Sequence, residues 1–305
     1  MSKGQTVVIH GVPSDLGANI QGSNMGPAAV RIAGLRNSMK SIGYEVHDHG
    51  DTQIPVRDSL SEEEAQNCYF KPIYDLCSEL ADRTYLTAKE DKLPLSVGGD
   101  HSLAIGSVSG VAKAFKEKKK KLGLIWVDAH ADINTPRSTE SGNIHGMPLA
   151  TLIGDGHADL VNLGDEGASI EAENVALIGV RTIDQVEKEI LKKSNVTYFT
   201  MRDIDERGMF DVMKEALEIT CKNTDGVHLS FDIDGVDPLY APGVSTPVPG
   251  GLSFREAHLL LEMIAETDKL VSMDFVELNP FTDQGPTSAH LTVELILSAL
   301  GKSII

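Results

Sequence analysis

Short apolar segments recur along the chain and are separated by longer, more polar ones. The apolar segments are rich in Val, Ile and Leu, which is typical of strands buried on both faces of a parallel sheet. We expect strands at residues 6–11, 44–47, 93–97, 122–127, 174–179, 196–200, 227–231 and 270–275.

The segments between the strands predict helices at residues 27–39, 61–88, 102–120, 149–152, 185–193, 208–222, 253–267 and 287–300. Pro27 suits the first turn of its helix, and Ser61 is a typical N-cap because three glutamates follow it. Strand and helix alternate throughout, so we expect an α/β fold in which helices cover both faces of a mostly parallel sheet. No linker divides the chain, and we expect one domain over residues 1–305.

Acidic or imidazole side chains follow four of the predicted strands. The carboxyl ends of parallel strands meet at one edge of a sheet, where open α/β folds place their sites. In extended backbone, residues at positions i, i+2 and i+4 point to one side, so we expect Asp128, His130 and Asp132 to converge. The whole set is His101, Asp128, His130, Asp132, Asp232, Asp234 and Glu277.

Two histidines and four aspartates of this set are enough to bind two metal ions that share carboxylates. Without a cation, so many clustered carboxylates would repel one another strongly. Two divalent ions about 3.5–4 Å apart can hold a hydroxide between them. The ligands are rich in oxygen and include no thiolate, which favours Mn²⁺ over Zn²⁺ without deciding between them.

Composition excludes several other classes of protein. A net charge of −18 over 305 residues argues against non-specific binding to nucleic acid or anionic membranes. No run of about 18 apolar residues occurs, so no membrane span is expected. Three cysteines are too few for a disulfide framework or a zinc finger, which favours a reducing, cytoplasmic compartment. The glycines at 98–110 match neither a P-loop nor a dinucleotide-binding fingerprint.

Other residues are expected to have structural roles. We expect Trp126 to pack in the core and Asp237 to stabilise a turn. His10, within the first strand, is more typical of a core or rim histidine than of a ligand. We expect His258 to lie at the surface.

Three segments resemble the signature motifs of the ureohydrolase family. They are Gly-Gly-Asp-His-Ser at 98–102, Val-Asp-Ala-His-Ala-Asp at 127–132 and Ser-Phe-Asp-Ile-Asp-Gly-Val-Asp-Pro-Leu-Tyr-Ala-Pro-Gly-Val-Ser-Thr-Pro at 230–247. Within the family, Asn-Thr-Pro at 134–136 and Ser-Gly-Asn-Ile-His-Gly at 141–146 are similar to arginases rather than agmatinases. The resemblance implies the three-layer α/β/α sandwich of arginases and a binuclear manganese site.

The resemblance also implies roles for individual residues. One Mn²⁺ would be held by His101, Asp128, Asp132 and Asp232, and the other by His130, Asp128, Asp232 and Asp234. Asp132 would also orient a bridging hydroxide, Glu277 would pair with the substrate guanidinium, and His145 would transfer protons. Asn134, Ser141 and Asn143 would bind an α-carboxylate, Asp184 would bind an α-ammonium, and Thr246 would line the site.

The activity implied is hydrolysis of L-arginine to L-ornithine and urea, in which the bridging hydroxide attacks the guanidinium carbon. The family also implies a homo-oligomer, either a trimer or a hexamer. The alternative is another ureohydrolase, such as an agmatinase or a guanidino-acid hydrolase. A deacetylase of the related fold would carry one zinc ion and fewer carboxylates. A non-catalytic scaffold would predict loss of His145 or Glu277, and both are present.

Overall fold

A computed structural model describes residues 5–302 and contains one eight-stranded sheet in which every pairing is parallel. The order of strands across the sheet is β2-β1-β3-β8-β7-β4-β5-β6. The strands are β1 (Thr6–Gly11), β2 (Glu45–Asp51), β3 (Leu93–Val97), β4 (Leu122–Val127), β5 (Val175–Val180), β6 (Thr197–Thr200), β7 (Gly226–Asp232) and β8 (Leu270–Val276).

Helices follow the strands in nearly every connection. They are α1 (Gly26–Ile32), α2 (Leu35–Ser41), α3 (Glu62–Gln66), α4 (Phe70–Lys89), α5 (Ala104–Glu117), α6 (Pro148–Leu152), α7 (Ala158–Val161), α8 (Gln185–Lys193), α9 (Met201–Arg207), α10 (Met209–Lys222), α11 (Phe254–Glu266) and α12 (Thr287–Ala299). None of the helices in the described part of the chain is long and apolar enough to cross a membrane.

The helices cover both faces of the sheet, because successive residues of each strand point to opposite faces. On β4, Ile125 and Val127 pack in a core with buried residues of α1, α2 and α9–α12. Leu124 and Trp126 pack in a second core with residues of α5, α6 and α8. The predicted three-layer α/β/α arrangement is confirmed.

Two predicted helices are interrupted. The helix predicted at 27–39 breaks at Gly34, whose φ of 90° is left-handed, and resumes at Leu35. The helix predicted at 61–88 begins as expected, with Ser61 and Glu64 forming a capping box. It ends after one turn, because Cys68 and Tyr69 both have positive φ, and α4 then begins at Phe70.

Other differences in element boundaries are smaller. Helix α9 lies in the segment between the predicted strand at 196–200 and the predicted helix at 208–222, where no helix was expected. Thr200 caps it, with Asp203 completing a capping box. Strand β2 continues to Asp51, four residues beyond its predicted end.

The sheet order brings together the four strands whose ends carry the acidic and imidazole residues. Strands β3, β8, β7 and β4 are neighbours at the centre of the sheet, although β4 and β7 are about a hundred residues apart along the chain. Because all strands run in the same direction, their carboxyl ends form one continuous edge. The fold therefore places four distant sequence motifs within contact of one another.

Candidate metal centre and substrate site

His101 lies at the middle of this edge, and three carboxylates surround its Nδ1 atom. The distances from Nδ1 are 3.2 Å to Asp128 Oδ2, 3.0 Å to Asp132 Oδ2 and 3.2 Å to Asp232 Oδ2. The imidazole is fully buried and stacks on the indole of Trp126, with ring centroids 4.1 Å apart. Within residues 5–302, Nδ1 has no hydrogen-bond partner of good geometry.

His130 forms a second group with two carboxylates. Its Nδ1 atom lies 3.3 Å from Asp128 Oδ1 and 3.1 Å from Asp234 Oδ2. Two sets of side chains in the described residues have ligand atoms all within 4.8 Å of one another. They are His101, Asp128 and Asp232, and Asp128, His130 and Asp234. Asp128 belongs to both sets and offers one oxygen to each.

Hydrogen bonds orient these carboxylates. Asp232 Oδ1 accepts the backbone N–H of Asp234 at 2.7 Å, which leaves Oδ2 facing His101. Asp234 Oδ1 accepts the backbone N–H of Ala129, and its Oδ2 accepts the hydroxyl of Thr246 at 3.0 Å. The indole N–H of Trp126 donates to Asp128 Oδ2 at 3.0 Å. Each of these carboxylates is therefore oriented by at least one hydrogen bond from the protein.

Burial and crowding shift the pKa values of the cluster. Burial by itself lowers the pKa of His130, but Asp128 and Asp234 raise it to about 12. Burial opposes protonation of His101 in the same way, yet its three carboxylate neighbours raise its pKa well above the usual value.

Two of the carboxylates also have raised pKa values, for a different reason. Burial and repulsion by Asp128 raise the pKa of Asp132 to about 6. Burial and repulsion by Asp234 and Asp128 raise the pKa of Asp232 well above its usual value. Four carboxylates thus face two imidazoles, and a divalent cation would supply the missing positive charge. The oxygen and nitrogen donors, and the orphaned Nδ1 of His101, fit a metal centre.

The predicted convergence of Asp128, His130 and Asp132 occurs, but its predicted geometry is wrong. Strand β4 ends at Val127, and Asp132 has a left-handed φ of 50°. This turn carries the Asp132 carboxylate to His101 and not to His130, so the three side chains divide between the two groups. A left-handed aspartate is uncommon enough that alternation alone could not predict it.

Glu277 lies beside the metal-binding groups, one residue beyond β8. Its Oε1 atom accepts the backbone N–H of His101 at 2.9 Å and contacts His145 Nδ1 at 3.0 Å. Its Oε2 atom is buried and has no hydrogen-bond partner among the described residues. Burial by itself lowers the pKa of His145, but the Glu277 carboxylate raises it to about 9. A buried carboxylate oxygen is therefore available for a cationic ligand.

The loop after β4 carries four of the other predicted site residues, which are Asn134, Ser141, Asn143 and His145. Asn134 Nδ2 donates to Asp184 Oδ2 at 2.9 Å, which joins this loop to the start of α8. Ser141 Oγ accepts the backbone N–H of Asn143 at 3.2 Å, so these two residues form one tight turn. His145 N–H donates to the carbonyl of Gly17, which ties the turn to the loop after β1.

Asp184 is also the N-cap of α8. Its Oδ1 atom accepts the backbone N–H groups of Val186 and Glu187 at 2.7 and 2.8 Å. Glu187 is buried next to this cap and was not among the predicted site residues. Burial raises the pKa of Glu187 to about 7, and repulsion by Asp132 and Asp184 adds to the shift. The capping-box spacing from Asp184 to Glu187 was the signal that could have identified it.

A row of polar residues beneath the metal-binding groups was also missed. Trp126, Ser230 and Asp274 face one another across β4, β7 and β8. His228 lies two residues before Ser230 on β7 and contacts Asp274. Strands buried on both faces are otherwise apolar, so the polar residues within β7 and β8 were the sequence signal that could have identified this row.

The structural roles expected for other residues are confirmed in three cases. Trp126 is fully buried, Asp237 accepts the backbone N–H groups of Leu239, Gly250 and Gly251, and His10 is buried in β1. The expectation for His258 is wrong. It is only 7% exposed and its Nδ1 atom contacts Ser298 Oγ at 2.7 Å, because α11 and α12 pack together over it.

Comparison with known proteins agrees with this architecture. Residues 5–301 match the Arginase family. The chain is 44% identical to an arginase of Brevibacillus brevis over 305 residues, with all of both chains covered.

Solved structures give the same result. The structure of an arginase from Bacillus caldovelox superposes with a TM-score of 0.94 at 41% identity and covers 99% of this chain and 100% of its own. A hypothetical agmatinase from Burkholderia thailandensis, at 24% identity and a TM-score of 0.73 over 97% of this chain and 84% of its own, shares the fold alone. The chain belongs to the arginase family.

Proposed function

We propose that the protein hydrolyses L-arginine to L-ornithine and urea at a centre that binds two Mn²⁺ ions. The observation that carries the proposal is the pair of donor groups that share Asp128, next to a buried Glu277 oxygen with no partner among the described residues. The arginase names of relatives at about 40% identity over the full chain support L-arginine as the substrate.

The proposed ligands follow the two groups. His101, Asp128, Asp132 and Asp232 would hold one ion, and His130, Asp128, Asp232 and Asp234 the other. Bound in this way, two divalent ions supply a strong nucleophile at neutral pH and stabilise developing negative charge. Thr246 keeps Asp234 oriented, since its hydroxyl donates to the oxygen that faces His130.

The protein groups around the metals recognise the two ends of the substrate. Glu277 Oε2 accepts hydrogen bonds from the guanidinium, whose planar donors match a carboxylate. Asn134, Ser141 and Asn143 bind the α-carboxylate, and Asp184 binds the α-ammonium. Glu187, when ionised, adds negative charge near Asp184 and supports binding of the same ammonium.

His145 is placed to transfer a proton to the leaving amine. Its ring contacts Glu277 at 3.0 Å, so a guanidinium bound by Glu277 lies next to the imidazole. The raised pKa of about 9 keeps His145 protonated at neutral pH, as a general acid requires. Asp132 would orient the nucleophile that the metal ions supply.

The test is urea release by the Mn²⁺-loaded protein with L-arginine and agmatine side by side, before and after chelation. We expect turnover of L-arginine only, abolished by the chelator and restored by Mn²⁺. The Glu277→Gln variant is the matched control, because it keeps the size of the side chain and removes the charge that binds the guanidinium. It should bind metal normally and release no urea.

Agmatine is the substrate that discriminates between the two candidate activities, since it lacks the α-carboxylate. Turnover of agmatine instead of arginine would keep the metal chemistry and overturn the assignment of residues 134–143. The proposal includes assembly into a trimer or hexamer in the cytoplasm, and light scattering after size-exclusion chromatography tests the assembly.

A further inference from the structure

A chain of hydrogen bonds runs from His101 into the centre of the sheet, away from the substrate. His101 Nε2 contacts Ser230 Oγ at 2.9 Å, and Ser230 Oγ donates to Asp274 Oδ1 at 2.5 Å. Asp274 Oδ2 contacts His228 Nε2 at 2.8 Å, and His228 Nδ1 contacts Ser272 Oγ at 2.7 Å. All five side chains are at most 1% exposed.

The register of β7 against β8 places these hydrogen-bonded side chains next to one another. His228 lies opposite Ser272, and Ser230 lies opposite Asp274, in the pairing of β7 with β8. His228, Ser230 and Asp232 occupy alternate positions of β7, so they point to the same face as the metal-binding groups. His228 is therefore part of the same stack of side chains as Asp232, two rows deeper.

We propose that His228 is a positioning residue for the metal centre, acting through Asp274 and Ser230 to fix the tautomer of His101. This inference rests on the metal binding proposed above. His228 itself touches neither the metal-binding side chains nor the substrate site, and nothing in the proposed chemistry requires it directly.

The direction of each hydrogen bond follows from what the groups can donate. An ionised carboxylate only accepts, so the proton of the Ser230 hydroxyl goes to Asp274 and the His228 Nε2–H does the same. The oxygen of Ser230 is then left as an acceptor for His101, which must carry its proton on Nε2. In the neutral imidazole that a metal requires, this leaves the lone pair of His101 on Nδ1, the atom that faces Asp128, Asp132 and Asp232.

Removing the His228 N–H that donates to Asp274 weakens the preference for these hydrogen-bond directions. Asp274 would keep a buried charged oxygen with one partner fewer, and its hold on the Ser230 hydroxyl would be reduced. The hydroxyl could then turn and donate to His101 Nε2, which moves the proton of the imidazole to Nδ1. An Nδ1–H cannot bind a metal, so the cost appears as weaker binding at the His101 site.

The test compares three buried histidine substitutions. His228→Leu removes the donor at similar side-chain volume, and His228→Gln keeps an N–H at the same number of bonds from the backbone. His258→Leu is the matched control, because it deletes another buried histidine–serine hydrogen bond far from the sheet edge. For each protein, Mn²⁺ affinity is measured by competition with a chelator, and stoichiometry by elemental analysis.

We expect His228→Leu to weaken one of two Mn²⁺ sites by about 10–100-fold, the range for loss of an outer-shell partner, and to leave the other unchanged. His228→Gln should bind both ions as the wild type does, and so should His258→Leu. The increase in Tm on metal binding should shrink in His228→Leu alone. If His228→Leu does not fold, His228→Asn replaces it, because its shorter amide reaches Ser272 and not Asp274.

Unchanged affinity in His228→Leu, with only a lower Tm of the metal-free protein, would mean that His228 has a structural role and would overturn the inference. Equal weakening of both sites, or weakening in His258→Leu as well, would overturn it in the same way. Failure of the wild type to bind Mn²⁺ would overturn the proposed function together with this inference. Normal binding by the wild type and by His228→Leu overturns the inference alone.

Discussion

At the scale of single residues, hydrogen bonds from the protein orient the carboxylates of the centre. Asp232 and Asp234 each use one oxygen to accept a backbone N–H and present the other to an imidazole. Asp128 presents one oxygen to each imidazole. Replacing one of these aspartates with asparagine keeps the shape of the side chain and removes its charge, so it tests whether metal binding depends on the charge.

The first prediction concerns Asp128. Asp128→Asn should remove bound metal and activity together, because the residue belongs to both ligand groups. The loss of metal affinity should exceed the roughly 10–100-fold typical of outer-shell changes. Elemental analysis and urea release measure it. Asp237→Asn is the control, since Asp237 stabilises a turn on the same side of the sheet and should lower Tm without loss of metal. Full activity of Asp128→Asn would refute the shared site.

The second prediction concerns His145. His145→Asn should lower kcat by about 10²–10⁴-fold, the usual contribution of a general acid or base, with a smaller effect on KM. Metal content should stay at the wild-type value, because His145 contacts Glu277 and lies outside both ligand groups. A variant that loses metal in parallel with kcat would show that His145 supports the centre and does not transfer protons.

Sequence patterns predicted which acidic and imidazole side chains converge at the sheet edge, but not the residues that support them. His101, Asp128 and Asp232 follow apolar strands, so the sequence pattern was enough to identify them. The contacts of Ser230 with Asp274 and of Trp126 with Asp128 depend on which strands are neighbours. That order is a property of the whole sheet, so alternation along one strand cannot reveal it.

At the scale of secondary-structure elements, the proposed substrate side of the centre includes the loop after β4, which packs against the break between α3 and α4. The break between α3 and α4 places Cys68 against Gly142, so close that a Cβ at residue 142 would lie 2.7 Å from the Cys68 sulfur. The residues around the break include no glycine, so periodicity predicted a continuous helix. Pro72, in the first turn of α4, was the available sign of a second helix start.

The third prediction separates two roles of Asp184 at the start of α8. Asp184→Asn should raise KM for L-arginine and leave Tm nearly unchanged, because asparagine is an equally good N-cap but lacks the charge proposed to bind the α-ammonium. Asp184→Ala should raise KM and also cost about 1 kcal/mol of stability through loss of the cap. Steady-state kinetics and chemical denaturation measure the two effects. Equal KM values for wild type and Asp184→Asn would contradict the assigned role.

At the scale of the whole molecule, a single parallel sheet brings the acidic and histidine motifs together at one edge. Its central strands β3, β8, β7 and β4 come from both halves of the chain, and their carboxyl ends form the site. The alternation of strands and helices was enough to predict a sheet with helices on both faces. The insertion of β7 and β8 between β3 and β4 was not predictable, because it follows from long-range packing.

The fourth prediction links pH to the stability of the metal-free protein. A histidine whose pKa is raised by folding stabilises fully below its unfolded value of about 6.5, and this stabilisation is lost as pH rises through the folded value. For His130, this stabilisation is therefore lost over the pH range from about 6.5 to about 12. The metal-free protein should therefore lose free energy of unfolding as pH rises above neutrality. Urea denaturation at several pH values measures this slope.

His130→Asn is the control for that slope, because it removes the group that titrates, and it should lose less stability over the same pH range. Metal should reverse the trend, since both imidazoles must give up protons to bind it. We expect about two protons to be released on loading at neutral pH, one from each imidazole. Calorimetry in buffers of different ionisation enthalpy counts them. Loading without proton release would contradict the charge state described for the cluster.

The central claim is that two metal ions bound by these residues make the protein an arginase, and one titration tests it directly. Trp126 is the only tryptophan of the chain, and it contacts both His101 and Asp128, so its fluorescence should report metal binding. The measurement is a titration of metal-free protein with Mn²⁺, with fluorescence and urea release from L-arginine recorded on the same samples. The fluorescence change should be complete at two ions per chain, and activity should rise with the second. Full activity at one ion per chain, or urea release without metal, would contradict the account.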